Sequence, residues 1–351
     1  MKKISKGRLE QAISMAFMAV GVQSAAQAVD MGSIEIHGYG NQNYLQTSDN
    51  SYLGADKNGT WDNISLATII VAKVDDKSKI WTQFHSDGKN VRLDWSFIDY
   101  QVNNNLAARV GMIKVPMGIY NDILNAQFLQ VTSMLPAMYQ GGPSIVPEAY
   151  RGASVVYDYD LGGGRLSLDA YTGSVTTPDE PETLKNHRLL GGRVTYKTPV
   201  DGLRFMASRY SSHQEDMLTV KEAAKNAWML SADYVNNNWD LKAEYANLDN
   251  GLASTKTNTS YVQAGYSFTE KWTPYVRYDY ITTDETQSSD PSFYQKITTI
   301  GIGYKLNDSV GLRLENNWNN GYALPVASGE VDAGAGKTDW NMLAVSVNFI
   351  Y

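Results

Sequence analysis

The sequence predicts an all-β protein, a transmembrane antiparallel β-barrel of sixteen strands. Three observations carry that prediction. From Ser33 onward, segments of about ten residues alternate apolar and polar side chains, which a strand sends to opposite faces. The connections between these segments are by turns short and long. Aromatic residues gather beside the short connections, on the apolar parity.

In chain order the strands fall at 34–46, 63–74, 79–86, 90–102, 106–115, 151–159, 165–173, 189–197, 203–211, 226–235, 239–247, 259–268, 272–280, 295–305, 310–318 and 339–351. An even number returns both ends to one side, as single-chain bacterial barrels require. The clearest hairpin begins with Trp228, Leu230, Ala232 and Tyr234 on one face and Ser231 and Asp233 on the other. It turns at 236–238 and resumes as Trp239, Leu241, Ala243 and Tyr245 opposite Asp240, Lys242 and Glu244. Charges in mid-strand need water or compensation on their side, which a sandwich core does not give. The pattern recurs about Gly162-Gly163-Gly164, Pro199 to Gly202, Thr269-Glu270-Lys271 and Asn307-Asp308, whose residue types suit tight turns.

Loop sorting is the second signal. Tight turns at 75–78, 103–105, 160–164, 198–202, 236–238, 269–271 and 306–309 share one side, while polar loops such as 174–188, 281–294 and 319–338 lie at the other. Tyr157, Tyr159, Tyr196, Tyr234, Trp239, Tyr266, Phe268, Trp272 and Tyr304 lie beside the short turns. At a bilayer headgroup level, rings with a polar edge are well solvated. That aromatics are common in strands explains their number but not their shared depth.

Bulk properties alone, 351 residues with net charge -7 and mean hydropathy -0.36, suit a mildly acidic soluble protein. The N-terminus points to export instead. Lys2, Lys3, Lys6 and Arg8 precede the mostly apolar 12–22, and Ala26-Gln27-Ala28 supplies small residues for cleavage between Ala28 and Val29. Residues 1–28 therefore read as a signal peptide and 29–351 as one barrel domain; a short N-terminal helix fits that order less well. With no cysteine, the chain has no disulfides, thiol ligands or thiol nucleophile. No other uncharged apolar run approaches the length of a helical span.

Signs of catalysis are thin, and neither an enzyme nor a cofactor or metal is expected. His37, His85, His187 and His213 lack metal-ligand spacing, and no H-E-x-x-H, Walker or G-x-S-x-G pattern occurs. A barrel lipase would need Ser and His on adjacent strands, whereas His85-Ser86 and Ser212-His213 sit at strand ends. Asp179-Glu180-Glu182 and Asp284-Glu285 are either solvated loop, the commoner case, or sites for divalent cations bridging lipopolysaccharide.

The last ten residues, Met342 to Tyr351, place Leu343, Val345, Val347, Phe349 and Tyr351 on one parity with Ala344, Ser346 and Asn348 between. This resembles the closing strand of Gram-negative outer-membrane barrels. The longest connection, 116–150, runs from Pro116-Met117-Gly118-Ile119-Tyr120 through Gly141-Gly142-Pro143 to Tyr150. Gly111-Met112-Ile113-Lys114-Val115-Pro116-Met117-Gly118-Ile119-Tyr120 resembles the G-x-x-K-x-P-x-G-x-Y segment of porin-like proteins. Sixteen strands with the longest loop after the fifth resemble the general porin family; the Pro-Glu-Phe-Gly-Gly loop tip of enterobacterial porins is missing.

That resemblance implies an outer-membrane channel for passive diffusion of small hydrophilic solutes and ions. It also implies periplasmic termini, contact with outer-membrane lipid and lipopolysaccharide, a homotrimer, and no nucleic-acid partner. Loop 116–150 would fold inward and narrow the pore, its acidic Asp122 and Glu148 facing Arg92 and Arg109 of the opposing wall, with Lys114 and Arg151 flanking the loop as further constriction residues. A field across such a gap favours solutes with a dipole. The alternative for each arginine is simple neutralisation of a neighbouring strand's carboxylate. Ile69-Ile70-Val71, apolar on both parities, would be wall covered inside by the loop and outside by another subunit. Other inward charges are Arg165, Arg193, Arg204, Lys242, Arg277 and Arg313 against Glu35, Asp94, Asp169, Asp233, Asp240, Glu244, Asp279 and Glu315, nearly balanced. Two other readings stay open: a substrate-selective channel with an aromatic slide, and a non-conducting barrel whose loops serve adhesion or phage attachment.

Overall fold

A computed structural model describes residues 33–140, 145–176, 184–236 and 238–351. The predicted signal peptide with its Ala28/Val29 junction, Gly141-Gly142-Pro143 and Asp179-Glu180-Glu182 lie outside the described residues. The chain forms β1 (Ile34–Thr47), β2 (Thr60–Lys73), β3 (Ser78–Ser86), β4 (Val91–Asn103) and β5 (Leu106–Lys114) before the long connection. After it come β6 (Ala149–Leu161), β7 (Gly164–Thr176), β8 (Leu184–Lys197), β9 (Leu203–Asp216), β10 (Lys221–Asn236) and β11 (Trp239–Asn250). The wall is completed by β12 (Thr255–Tyr266), β13 (Trp272–Thr282), β14 (Tyr294–Lys305), β15 (Val310–Gly321) and β16 (Asp339–Ile350).

Each strand pairs antiparallel with its sequence neighbours, and β1 pairs with β16 to close the barrel. Closure leaves no unpaired sheet edge in the hydrocarbon, where exposed backbone polar groups are costly. At the seam Gly38 and Tyr351 exchange backbone hydrogen bonds of 3.0 Å each way.

The alternation resolves as predicted. Trp228, Leu230, Trp239, Val262 and Leu314 are exposed on the outside, while Ser231, Asp233, Asp240, Glu244, Arg277, Asp279 and Glu315 are buried inside. Ring pairs stand beside the short turns, Trp239 with Tyr266 at 4.7 Å and Trp272 with Tyr304 at 4.5 Å between centroids.

Several strands run further toward the long-loop side than the periodicity indicated. β9 and β10 extend to Asp216 and from Lys221, leaving only 217–220 between them. There Gln214, Glu215 and Glu222 are polar on both parities, so hydrophobic alternation fades before strand pairing does. A short helix, α1 (Ala323–Ala327), was also not foreseen; it buries Leu324 in a cluster with Tyr52 and Trp340.

Two local devices shape the inner wall. Asp94 is an extra residue opposite the step from Gln83 to Phe84, and this bulge lets both Asp94 and Trp95 be buried. Gly111, Gly152 and Gly173 are successive cross-strand partners on β5, β6 and β7. A Cβ at Gly152 would lie 2.0 Å from the Thr172 carbonyl oxygen, so these backbones approach as closely as only glycine permits.

The inner face is less uniformly polar than mid-strand charges suggested. Ile69 and Val71 pack with Trp81 and Trp95, against which Tyr39 and Phe97 lie. The inner cover in this cluster comes from neighbouring strands rather than from the loop. Elsewhere, Met206, Tyr210, Met229, Ala246 and Leu248 form an apolar arc that receives Met117, Ile119 and Met138 of the long connection.

Candidate functional site: the lumen and its loop

Among its described residues, the connection between β5 and β6 has little regular structure beyond 3-10 turns at Asn121–Ile123, Gln127–Leu129 and Ala137–Tyr139. Its backbone N–H and C=O groups therefore need partners from outside the segment, and a buried polar group left unpaired is costly. Charged side chains of the inner wall supply them. Glu244 accepts from the Ile119 N–H at 2.9 Å, Glu315 from the Ser133 N–H at 2.7 Å, and Asp279 from the Ala137 N–H at 3.0 Å. Arg277 donates to Thr132 Oγ1 at 3.0 Å and to the carbonyls of Met134 at 2.6 Å and Leu135 at 3.1 Å. Arg313 donates to the carbonyls of Phe128 and Gln130.

Aromatic residues reinforce these anchors. Tyr139 donates its hydroxyl proton to Glu244 at 2.7 Å, and Tyr261 donates to the same carboxylate at 2.9 Å. Burial pushes the Tyr139 phenol well above its usual range, with the adjacent Glu244 charge adding to the effect, so it stays a donor. Burial likewise pushes Tyr120 up to about 12.

The residues expected at a constriction are distributed as follows. Glu148 stands at the root of the loop against Lys114, whose ammonium also lies 3.4 Å from Asp94. Asn125 donates to Glu148 at 2.9 Å and to Asp94 at 3.1 Å, completing a buried knot. Burial alone would raise the Glu148 carboxyl, but the Lys114 charge and these hydrogen bonds outweigh it and hold it down at about 2. Asp122 meets Arg193 of β8 at 2.6 Å, and Arg193 also reaches Asp169 at 3.3 Å. Arg109 pairs with Asp99 at 2.8 Å and lies 5.7 Å from the Phe97 ring centroid. Arg92 lies 3.7 Å from Asp87. It shares a cavity of about 710 Å³ with Glu148, Asn125, His85 and Lys225.

Arg151 is a correction. It is exposed on the parity of Ala153, Val155 and Tyr157, facing outward beside Met112, its cross-strand partner. Counting two by two back from Tyr157 and Tyr159 would have placed it outside the lumen. Lys114, expected to flank the loop, is a direct neighbour of Glu148 at the loop's root. The anchors Glu244, Arg277, Asp279, Arg313 and Glu315 were legible as inward charges, but nothing in the alternation says that a loop backbone claims them.

A further surprise is Ser65 Oγ lying 2.8 Å from His85 Nε2 across β2 and β3. The sequence had placed no Ser and His side by side. His85 Nδ1, however, is buried without a hydrogen-bond partner among the described residues.

A sealed cylinder with an apolar exterior, a charged interior and a loop tied across that interior defines a membrane channel. Residues 12–321 match a family described as Gram-negative porin, and the chain belongs to that family. It is an outer-membrane porin, a channel for passive diffusion. Solved structures share the fold at low identity. Outer-membrane-expressed OmpT of Vibrio cholerae is 12% identical with a TM-score of 0.61, covering 95% of this chain and 100% of that one. An anion-selective porin from Comamonas acidovorans is 14% identical with a TM-score of 0.61, over 91% and 99%. OmpF of Salmonella typhi, in complex with daunomycin, is 15% identical with a TM-score of 0.61, over 91% and 97%. OmpT of Vibrio cholerae is also known in a trimer form, 13% identical with a TM-score of 0.61 over 91% and 99%. No curated protein matches the chain.

Proposed function

We propose that loop 116–150 narrows this channel, so that small hydrophilic solutes and ions pass between the loop and the part of the wall it leaves uncovered. The observation that carries the reading is the set of loop backbone groups bound by Glu244, Arg277, Asp279, Arg313 and Glu315, which ties the loop to the β11–β15 side. The charges left to meet solute are then Arg92 and Arg109 on the wall, Asp122 with Arg193, and the Lys114–Glu148 knot. The reading makes the protein a filter without catalysis. Single-channel recording tests it: a steady ohmic conductance is expected, and a folded barrel that carries no current would favour adhesive or receptor loops instead.

The same reading takes 1–28 as the export signal, puts the short turns and both termini in the periplasm, and sets the outer face against lipid and lipopolysaccharide. A homotrimer with the first strands at its interface accords with exposed Ile64, Leu66, Phe84 and Leu93 on β2–β4 and with the trimer form of the Vibrio cholerae relative. A substrate-selective channel is the second reading, favoured by Tyr39, Trp81, Trp95 and Phe97 on the inner wall. Saturable solute uptake would distinguish it from simple diffusion.

A further inference from the structure

Below the loop, beside the short turns at 162–163 and 198–202, three cations stand in one cross-strand row: Arg165 on β7 opposite Lys197 on β8, and Lys197 opposite Arg204 on β9. Like charges directly opposite each other destabilise a sheet, so such a register needs compensation. The flanking arginines have it, and on the sides away from Lys197. Arg165 donates through Nη2 to Asp158 of β6 at 2.7 Å, and Arg204 through Nε to Asp233 of β10 at 2.6 Å. Asp160, the cross-strand partner of Arg165, stands at the far end of the row. Among the described residues no carboxylate comes within 4.0 Å of Lys197.

The donor inventory is therefore unspent at the centre. Among the described residues, the three ammonium protons of Lys197, both terminal nitrogens of Arg204, and one terminal nitrogen and Nε of Arg165 are left to donate, since each guanidinium makes a single bond there. Arg165 is half-exposed and Arg204 a third exposed, so water and solute reach them. In contrast to Arg277 and Arg313, none of the three is bound by the described residues of the loop.

We propose that Arg165, Lys197 and Arg204 form a binding step for small multivalent oxyanions, of the phosphate or polycarboxylate class, at the short-turn mouth of the channel. The inference rests on the diffusion-channel reading and adds a ligand class to it. Adjacent N–H donors on charged groups suit such anions because charge-assisted bonds are short and strong. The anion also supplies the negative charge that the row lacks at Lys197.

The test is current through single channels in potassium chloride with inorganic pyrophosphate added to one side and then the other. We expect block that saturates with pyrophosphate and is stronger from the short-turn side. Lys197→Gln should raise the half-blocking concentration about tenfold, equivalent to about 1.4 kcal/mol. Lys197→Arg should keep the block and shows that substitution there is tolerated. Lys305→Gln, at the same mouth but paired with Asp308, should behave as wild type. Conductance with no saturable block, or block equal in wild type and Lys197→Gln, overturns the anion step and leaves the channel reading standing. Absence of any conductance overturns both.

Discussion

Arg277→Met is the sharpest probe of the loop's attachment. Arg277 is fully buried; it pairs with Asp279 at 2.6 Å and makes three bonds to the loop, to Thr132, Met134 and Leu135. Removing it leaves Asp279 buried with the Ala137 N–H as its remaining partner. Breaking a buried ion pair from one side costs about 3–5 kcal/mol. A loss near 4 kcal/mol, if felt wholly by the loop, shifts its held-to-released ratio by about a thousandfold. The expected phenotype is a larger unitary conductance, with protease cleavage within 116–148 of the detergent-folded protein. Arg277→Met combined with Asp279→Leu removes the orphaned carboxylate but not the lost loop bonds. It should regain thermal stability while keeping the larger conductance. Wild-type conductance and protease resistance in correctly folded Arg277→Met would refute the claim that these bonds hold the loop in place.

Other expectations follow from single residues. Asp122→Asn with Glu148→Gln should move reversal potentials in a salt gradient toward anions, and an unmoved potential removes both from the permeation path. Glu148 is depressed from 4.5 to about 2 on folding, so its stabilising contribution is complete above pH 4.5 and is lost as pH falls through about 2. Conductance titrated downward from pH 5 should accordingly hold until well below pH 4. Arg151→Gln should leave ion selectivity untouched, because the side chain points away from the lumen; a change in selectivity would restore it to the site. Gly152→Ala puts a methyl 2.0 Å from the Thr172 oxygen, and refolding yield on a heat-modifiability gel should fall sharply.

The wall was legible because one physical rule, lipid outside and water inside, acts on every second residue of every strand. Trp239, Tyr266, Trp272 and Tyr304 announced both face and depth in this way. Where the rule lapses, so did the reading. Beyond the bilayer the extra turns of ladder in β9 and β10 carry polar groups on both sides and leave no alternation to count. The fates of Arg277, Arg313 and Glu244 were hidden for a different reason. An inward charge looks the same in sequence whether it meets water, a neighbouring carboxylate or the backbone of a loop thirty or more residues thick in potential partners. Arg151 shows the converse, a residue whose parity was readable and was overridden by its nearness to the loop.

The apolar arc made by Met206, Met229, Ala246 and Leu248 under Met117 and Met138 has a consequence for how such a pore can change. The outer staves answer to the lipid, whereas the insert packs inside them like the core of a small soluble domain. If that insert narrows the bore as proposed, aperture can be retuned by repacking it, with the hull left as it is.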